Sequence, residues 1–206
     1  SDAGCDMERQ KEATAVIKQE IDRLDGVIKA LLDFGRPSKP EMRALDISEV
    51  LADTAILTRK FAGRYRVEIT EESTEHLPLV MADPDQLKQV FVNLITNAVQ
   101  AMEQGGGGRL VVSCFQEAGF VAAKFADDGP GMTDDMVRKV FDPFFSTKAD
   151  GTGLGLTIVH RIVDEHNGHI EVASTLGEGT AFTVYLPAIE GTSTGANGRA
   201  KGDSNA

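Results

Sequence analysis

Hydrophobic positions near the N-terminus recur at helical spacing. Five apolar residues follow one another at intervals of 4, 3, 4 and 3, which is the seam of a coiled coil or helical bundle. These residues are Ile17, Ile21, Leu24, Ile28 and Leu31. A single stripe of this kind cannot bury itself, so the segment up to about residue 34 predicts a long helix that needs a partner helix. Gly35, Pro37 and Pro40 then predict the end of the helix and a short linker.

From residue 42 to residue 187, helical and alternating patterns are interleaved. Helices are predicted at 47–61, from Asp83 to the glycine run at 105–108, and from 153 to about 166. Strands are predicted at 65–70, 77–82, 109–115, 120–125, 170–174 and 180–186, with a loop-rich stretch at 127–152. Helices mixed with mainly antiparallel strands predict an α+β fold, a two-layer sandwich with helices covering one face of the sheet.

The helix after Asp83 has an unusual polar side. Its start is well marked, because Asp83 suits a capping position and Pro84 the first helical position. Its polar side carries neutral amides instead of charges: Gln86, Gln89, Asn93, Asn97 and Gln100. Amide oxygens are hard ligands of the kind that Mg²⁺ accepts. A half-buried polar face without a metal is the alternative interpretation.

Two glycine clusters are candidates for a nucleotide site. In the first, Asp127 is followed by Gly129 and Gly131, so a ligand can approach the backbone closely. The carboxylate can accept a hydrogen bond from an exocyclic amine such as that of adenine, although an ordinary tight turn would have the same residues. The second cluster, residues 151–156, opens a helix whose free amides attract phosphate. It lacks the ending of a P-loop and the third glycine of a Rossmann fingerprint. A structural hinge is the alternative.

A segment rich in phenylalanine separates the two clusters. Phe141, Phe144 and Phe145 suit a lid over a ligand, but they also suit a hydrophobic core. Lys148 precedes the second cluster and is a candidate to reach a terminal phosphate as a point charge, although a solvated surface lysine is the default.

Composition narrows the classes of function. Lys+Arg 21 against Asp+Glu 32 gives a net charge of −11 over 206 residues, which argues against nucleic-acid binding. Apolar runs of only a few residues predict no membrane span, and no signal segment is recognised. Two cysteines far apart, Cys5 and Cys114, fit a reduced, cytoplasmic setting.

Five motifs occur in an order that resembles a known family. Residues 93–98, Asp127-x-Gly129-x-Gly131, residues 141–145, residues 151–156 and Gly177-x-Gly179-Thr180 are similar to the N, G1, F, G2 and G3 boxes of sensor histidine kinases, within the GHKL (Bergerat) ATP-binding superfamily. The resemblance covers residues 42–187, and details at 97–102 and 145–148 look most like the nitrogen-regulation (NtrB-type) branch. Residues 20–34 resemble the second helix of the kinase dimerisation domain.

The resemblance implies three segments and a set of roles. The segments are 1–36, a partial dimerisation domain, 37–189, the catalytic ATP-binding domain, and 190–206, a disordered tail. Asn97 would ligate Mg²⁺, Asn93 would support the metal and phosphates, and Asp127 would hold the adenine amine. The remaining implied ATP contacts are Gln100, Gly129, Gly131, Met132, Lys148, Gly153, Leu154, Gly155, Leu156 and Thr180.

The implied reaction is transfer of the ATP γ-phosphoryl group to a histidine and onward to an aspartate of a response-regulator receiver domain. Homodimerisation of the parent through the N-terminal helix is also implied. Two departures matter. Many relatives carry a lysine where this chain has Gln100, so charge neutralisation must rest on Lys148 or Arg138. In addition, none of the four histidines has the acidic neighbour of a phosphoacceptor box, so we expect no autophosphorylation by this chain.

Three alternatives compete with this interpretation. A GHKL ATPase of the gyrase, MutL or Hsp90 kind carries a glutamate at the place of Asn93, and an amide cannot act as that base. An anti-sigma-type serine kinase lacks a dimerisation helix, so the N-terminal seam argues against it. A nucleotide-sensing dimerisation module without kinase activity stays open.

Overall fold

The computed structural model describes residue 14 and residues 39–73, 76–148 and 151–191. The predicted N-terminal helix and almost all of the predicted tail lie outside these residues. Four α-helices occur in the described residues from 39 onward: α1 (Ile47–Arg64), α2 (Pro84–Met102), α3 (Asp134–Lys139) and α4 (Gly155–Glu165), and a 3-10 helix (Glu103–Gly105) follows α2 directly. No helix in this part is long and apolar enough to cross a membrane.

The strands form two sheets. A small antiparallel sheet pairs β1 (Arg43–Leu45) with β3 (Val80–Ala82). The main sheet has five strands, β2 (Val67–Ser73), β4 (Gly108–Glu117), β5 (Phe120–Asp127), β6 (His169–Thr175) and β7 (Gly179–Pro187), in the order β2-β4-β5-β7-β6. Among the strand pairings of the described residues, β2–β4 alone is parallel, so the sheet is mixed and mainly antiparallel, as the sequence predicted.

The core lies between the helices and one face of the main sheet. Every second residue of β4 turns toward it, and the register continues this row from Val112 to Phe125 and on to Phe182. The ring of Phe91, on α2, packs against that of Phe125 with 5.4 Å between centroids. Because the apolar side of α2 faces the sheet, its amide side is left to face outward, half-buried.

Side-chain caps fix where the first two helices begin. Asp46 accepts a hydrogen bond from the amide of Ser48 at the start of α1. Asp83 accepts hydrogen bonds from the amides of Asp85 and Gln86, so the predicted start of α2 is confirmed. His166, buried at the end of α4, accepts a hydrogen bond at Nε2 from the amide of Asp83 at 3.0 Å, while Nδ1 lies 2.7 Å from the carbonyl oxygen of Ile162.

Several element boundaries differ from the prediction. Helix α1 continues to Arg64, and Tyr65 is its C-terminal cap, so β2 begins later than predicted. The region predicted as loop at 127–152 contains α3, which Thr133 caps. None of the residues of α3 is buried, so no apolar stripe was present in the sequence to reveal this helix.

Candidate nucleotide-binding site

The phosphate end of the candidate site lies where α2 meets the start of α4. We define the phosphate end as Asn93, Asn97 and residues 153–155. A Cβ built on Gly155 would lie 3.8 Å from Asn93 Oδ1 and 4.0 Å from Asn97 Nδ2, so the two amides face the first residue of α4. Unlike α1, α2 and α3, α4 has no side-chain cap. Its free amides therefore face a pair of polar side chains, which is an arrangement that suits a phosphate and a metal ion.

The loop before α4 is held in a conformation that requires glycine. Gly153 has φ +65°, and a Cβ there would overlap the backbone of Phe144. The amide of Phe144 donates a hydrogen bond to the carbonyl oxygen of Gly153 at 3.0 Å. The side chain of Leu154 is buried in the core, so this predicted site residue can offer a ligand only its backbone, and the partly buried side chain of Leu156 packs against the same core.

The base end lies at the end of β5. We define it as Asp127, Gly129, Gly131 and Thr180. Asp127 pairs with Thr180 in the β5–β7 register, and its Oδ1 accepts a hydrogen bond from the amide of Gly129 at 3.0 Å. Burial raises the pKa of the Asp127 carboxyl above its ordinary value, and hydrogen bonds from the backbone of Gly129 and Thr180 partly offset this. The result is a half-buried carboxylate with a fixed direction.

Hydrogen bonds connect the turn after Asp127 to the β6–β7 hairpin. The amide of Gly177 donates to the carbonyl oxygen of Pro130 at 2.7 Å, and the amide of Met132 donates to Ser174 Oγ at 2.8 Å. Gly131 has φ +67°, and a Cβ there would overlap the carbonyl oxygen of Thr175. Ser174 was not predicted as a site residue, because nothing in its local sequence shows that it lies opposite Met132.

A second residue that the sequence interpretation missed is Met102. It was assigned to the core face of α2, and it is buried there. Its side chain also lies beneath the first glycine cluster, since a Cβ on Gly129 would come within 3.2 Å of Met102 Cγ. The spacing along α2 identified the buried face but not the loop that crosses it.

In the phenylalanine segment, one ring belongs to the hydrophobic core and another is exposed. Phe141 packs against the core, with its ring centroid 6.2 Å from that of Phe182. Phe144 is 68% exposed and has φ +65°, which is unusual for a residue other than glycine. Core packing therefore anchors one end of the segment, and an exposed aromatic ring lies at its tip.

Lys148 is held against α2. Its Nζ donates a hydrogen bond to Gln100 Oε1 at 2.8 Å. Burial lowers the pKa of the Lys148 ammonium, and the carboxylates of Glu103 and Asp127 act in the opposite direction. The default of a solvated surface lysine is thus wrong for this residue.

The amide side chains of α2 lie in two separate regions of the molecule. Asn93 and Asn97 face the start of α4, and Gln100 contacts Lys148. Gln86 and Gln89 instead line a polar cavity of about 710 Å³ near the caps of α1 and α2, which none of the predicted site residues lines. Among the described residues, no three His, Cys, Asp or Glu side chains are grouped to hold a metal.

The two-layer α+β fold places the uncapped start of α4 opposite two amides and holds a half-buried carboxylate at the end of β5, and this arrangement suits a nucleotide-binding domain. Comparison with known protein families leads to the same class of protein. The family described as histidine kinase-, DNA gyrase B- and HSP90-like ATPase matches residues 82–190, and the chain belongs to this family.

Individual relatives narrow the class to sensor histidine kinases. The sensor histidine kinase ZraS of Escherichia coli strain K12 is 37% identical over 172 residues, which cover 84% of this chain and 37% of ZraS. The chain therefore spans a little over a third of the length of that relative. The structure of full-length ShkA in complex with AMPPNP matches with a TM-score of 0.74 and 28% identity, covering 87% of this chain and 39% of ShkA.

A third match includes a partner protein. The structure of histidine kinase ThkA in complex with response regulator protein TrrA has a TM-score of 0.71 and 26% identity, covering 84% of this chain and 50% of ThkA. The matched region of this chain is thus an ATP-binding catalytic domain of the sensor histidine kinase type, as the sequence motifs predicted.

Proposed function

We propose that this chain binds ATP with Mg²⁺ and transfers the γ-phosphoryl group to a histidine of a kinase dimerisation domain, for relay to a receiver-domain aspartate. The observation that carries the proposal is the uncapped start of α4 facing Asn93 and Asn97. It is supported by the AMPPNP in the ShkA structure and the response regulator in the ThkA structure.

The residues divide into three roles. Asn97 ligates Mg²⁺ through its amide oxygen, and Asn93, one turn earlier, supports the metal and the phosphates. Asp127 accepts a hydrogen bond from the adenine amine. The other ATP contacts are Gln100, Gly129, Gly131, Met132, Lys148, Gly153, Leu154, Gly155, Leu156 and Thr180.

Phosphoryl transfer needs positioning and charge neutralisation more than covalent chemistry from the protein. The lone pair of an imidazole nitrogen forms the new bond to the γ-phosphorus, and the electron pair of the broken bond leaves with the oxygen that ADP keeps. The helix amides of α4 and the Lys148 ammonium stabilise the negative charge during this exchange, and Mg²⁺ held by Asn97 would supply Lewis-acid stabilisation of the phosphate oxygens.

The partners and segments extend this proposal. Residues 1–36 contribute part of a dimerisation domain in a homodimeric parent, residues 37–189 form the catalytic domain, and residues 190–206 form a disordered tail. None of the four histidines of this chain has an acidic neighbour after it, so the proposed acceptor histidine is not among these 206 residues.

The proposal is tested with labelled ATP, Mg²⁺ and a dimerisation domain that carries an acceptor histidine. We expect binding of intact ATP and transfer of label to the supplied domain, with both strongly reduced in Asp127→Asn. Steady release of phosphate without transfer would favour the ATPase alternative. Binding without transfer would favour a nucleotide-sensing module, and label on a histidine of this chain would contradict the predicted lack of autophosphorylation.

A further inference from the structure

The contact between Lys148 and Gln100 joins two segments that are distant in sequence. The residues are 48 positions apart, and the bond runs from the segment before the second glycine cluster to the last turns of α2. An ammonium group can only donate hydrogen bonds, so the oxygen of the Gln100 amide must face it. The bond is therefore directional and requires an acceptor at position 100.

Negative groups face the ammonium, although burial is the larger influence and lowers the pKa of Lys148 overall. No basic residue occurs in the last turn of α2, so the negative end of this helix has no cation of its own there. Lys148 comes to that end from outside the helix, and the carboxylates of Glu103 and Asp127 also act on it. Without Lys148, this side of the site would present carboxylates and a helix C-terminus to an anionic ligand.

We propose that Gln100 is a positioning residue for Lys148, whose amide oxygen holds the ammonium within the site so that it stabilises a nucleotide's phosphates. This inference rests on the proposed function and assigns separate roles to the two residues. Lys148 supplies the charge, and Gln100 supplies the direction in which the charge is held. The pair then determines how strongly the site prefers a triphosphate over the bare nucleoside.

The test compares the affinities of the full-length chain for ATP with Mg²⁺ and for adenosine. Adenosine has the base but no phosphate, so the ratio of the two affinities isolates the contribution of charge. Removal of the charge in Lys148→Gln should lower the ratio about tenfold or more, as expected for a charged hydrogen-bonding group. Gln100→Leu keeps the lysine but removes its acceptor, and should lower the ratio by a smaller factor.

The exchange variant separates positioning from mere structural support. In Gln100→Lys with Lys148→Gln, the ammonium and the amide change places, and the ratio should return to about that of the original chain. Gln89→Leu is the matched control, because it makes the same substitution on the same helix at a residue that lines the other cavity. It should leave the ratio unchanged.

The outcomes distinguish this inference from the proposed function. An unchanged ratio in Lys148→Gln, an equal effect of Gln100→Leu and Gln89→Leu, or no recovery in the exchange variant would overturn the positioning role while ATP binding stands. An increase in adenosine affinity in Lys148→Gln would show that the lysine blocks the base end instead. Failure of the original chain to bind either ligand would overturn the proposed function and this inference together.

Discussion

The base end and the phosphate end of the site are built from different kinds of segment. At the base end, strand register places Asp127 beside Thr180, and hydrogen bonds fasten the following turn to the β6–β7 hairpin. At the phosphate end, the face of α2 meets a glycine loop and the uncapped start of α4. The difference teaches that the base end is tied to the sheet throughout, whereas the phosphate end contains one position, Gly155, whose neighbours lie only at ordinary contact distances.

The largest effect is expected for Gly131→Ala at the base end. The new methyl group would overlap the carbonyl oxygen of Thr175 at a positive φ, so we expect a loss of roughly 3 kcal/mol in the free energy of unfolding. The control is Gly177→Ala, where φ is also positive but no atom lies within 4 Å of the added Cβ. Backbone strain alone should cost that variant about 1 kcal/mol. Denaturant unfolding measures both, and equal losses would contradict the close packing at Gly131.

Asp127→Asn should lower the affinities for adenosine and for ATP by similar factors. The carboxylate is the proposed acceptor for the adenine amine, and loss of a charged hydrogen bond costs about 1.5–3 kcal/mol, which corresponds to roughly ten- to a hundredfold in affinity. The affinity ratio should therefore stay nearly constant, in contrast to Lys148→Gln. Equilibrium binding of both ligands measures this ratio. A loss of affinity for ATP alone would contradict the contact between Asp127 and the adenine.

The raised pKa of Asp127 predicts a pH dependence of binding. The carboxyl accepts the adenine amine when ionised, and its raised pKa means that it becomes protonated at a higher pH than an ordinary aspartate. Adenosine affinity should therefore fall as the pH is lowered through this pKa, and should be constant above it. The Asp127→Asn variant should lack this dependence. Adenosine is the suitable ligand because its phosphate-free form avoids titration of the phosphates.

The smallest effect on folding is expected for Gly155→Ala at the phosphate end. The added methyl group would meet Asn93 and Asn97 only at ordinary contact distances, and φ is not positive. Stability should be unchanged or increased by about 0.5–1 kcal/mol, because alanine suits a helix better than glycine. ATP affinity should fall severalfold, since the methyl group occupies space between the amides and the helix start. A large loss of stability would remove the contrast between the two ends.

The sequence predicted those elements whose signals are local. Asp83 and Pro84 marked the start of α2, and alternation marked β4 and β5 to within a few residues. Helix α3 and strand β1 were missed because the first has no buried face and the second has only three residues. The parallel pairing of β2 with β4 was also beyond reach, since α2 and two further segments lie between them in the chain.

In the candidate site too, the sequence predicted local motifs but not the contacts between distant segments. Motifs named both Gln100 and Lys148, but their hydrogen bond depends on how a loop packs on a helix 48 residues away. The directions of the Leu154 and Leu156 side chains, toward the core, follow from the packing of α4 against α2, which no spacing within the motif reports.

The buried ring of His166 makes the alignment of α2 and α4 visible to spectroscopy. Because Nε2 accepts a hydrogen bond from Asp83, the ring proton must be on Nδ1, where it is donated to Ile162 within the same helix end. That proton is shielded from solvent, and it exchanges with deuterium only when the ends of the two helices separate. The imidazole proton is thus a natural probe that reports, by nuclear magnetic resonance, whether the start of α2 and the end of α4 stay together when ligand binds at the opposite end of α4.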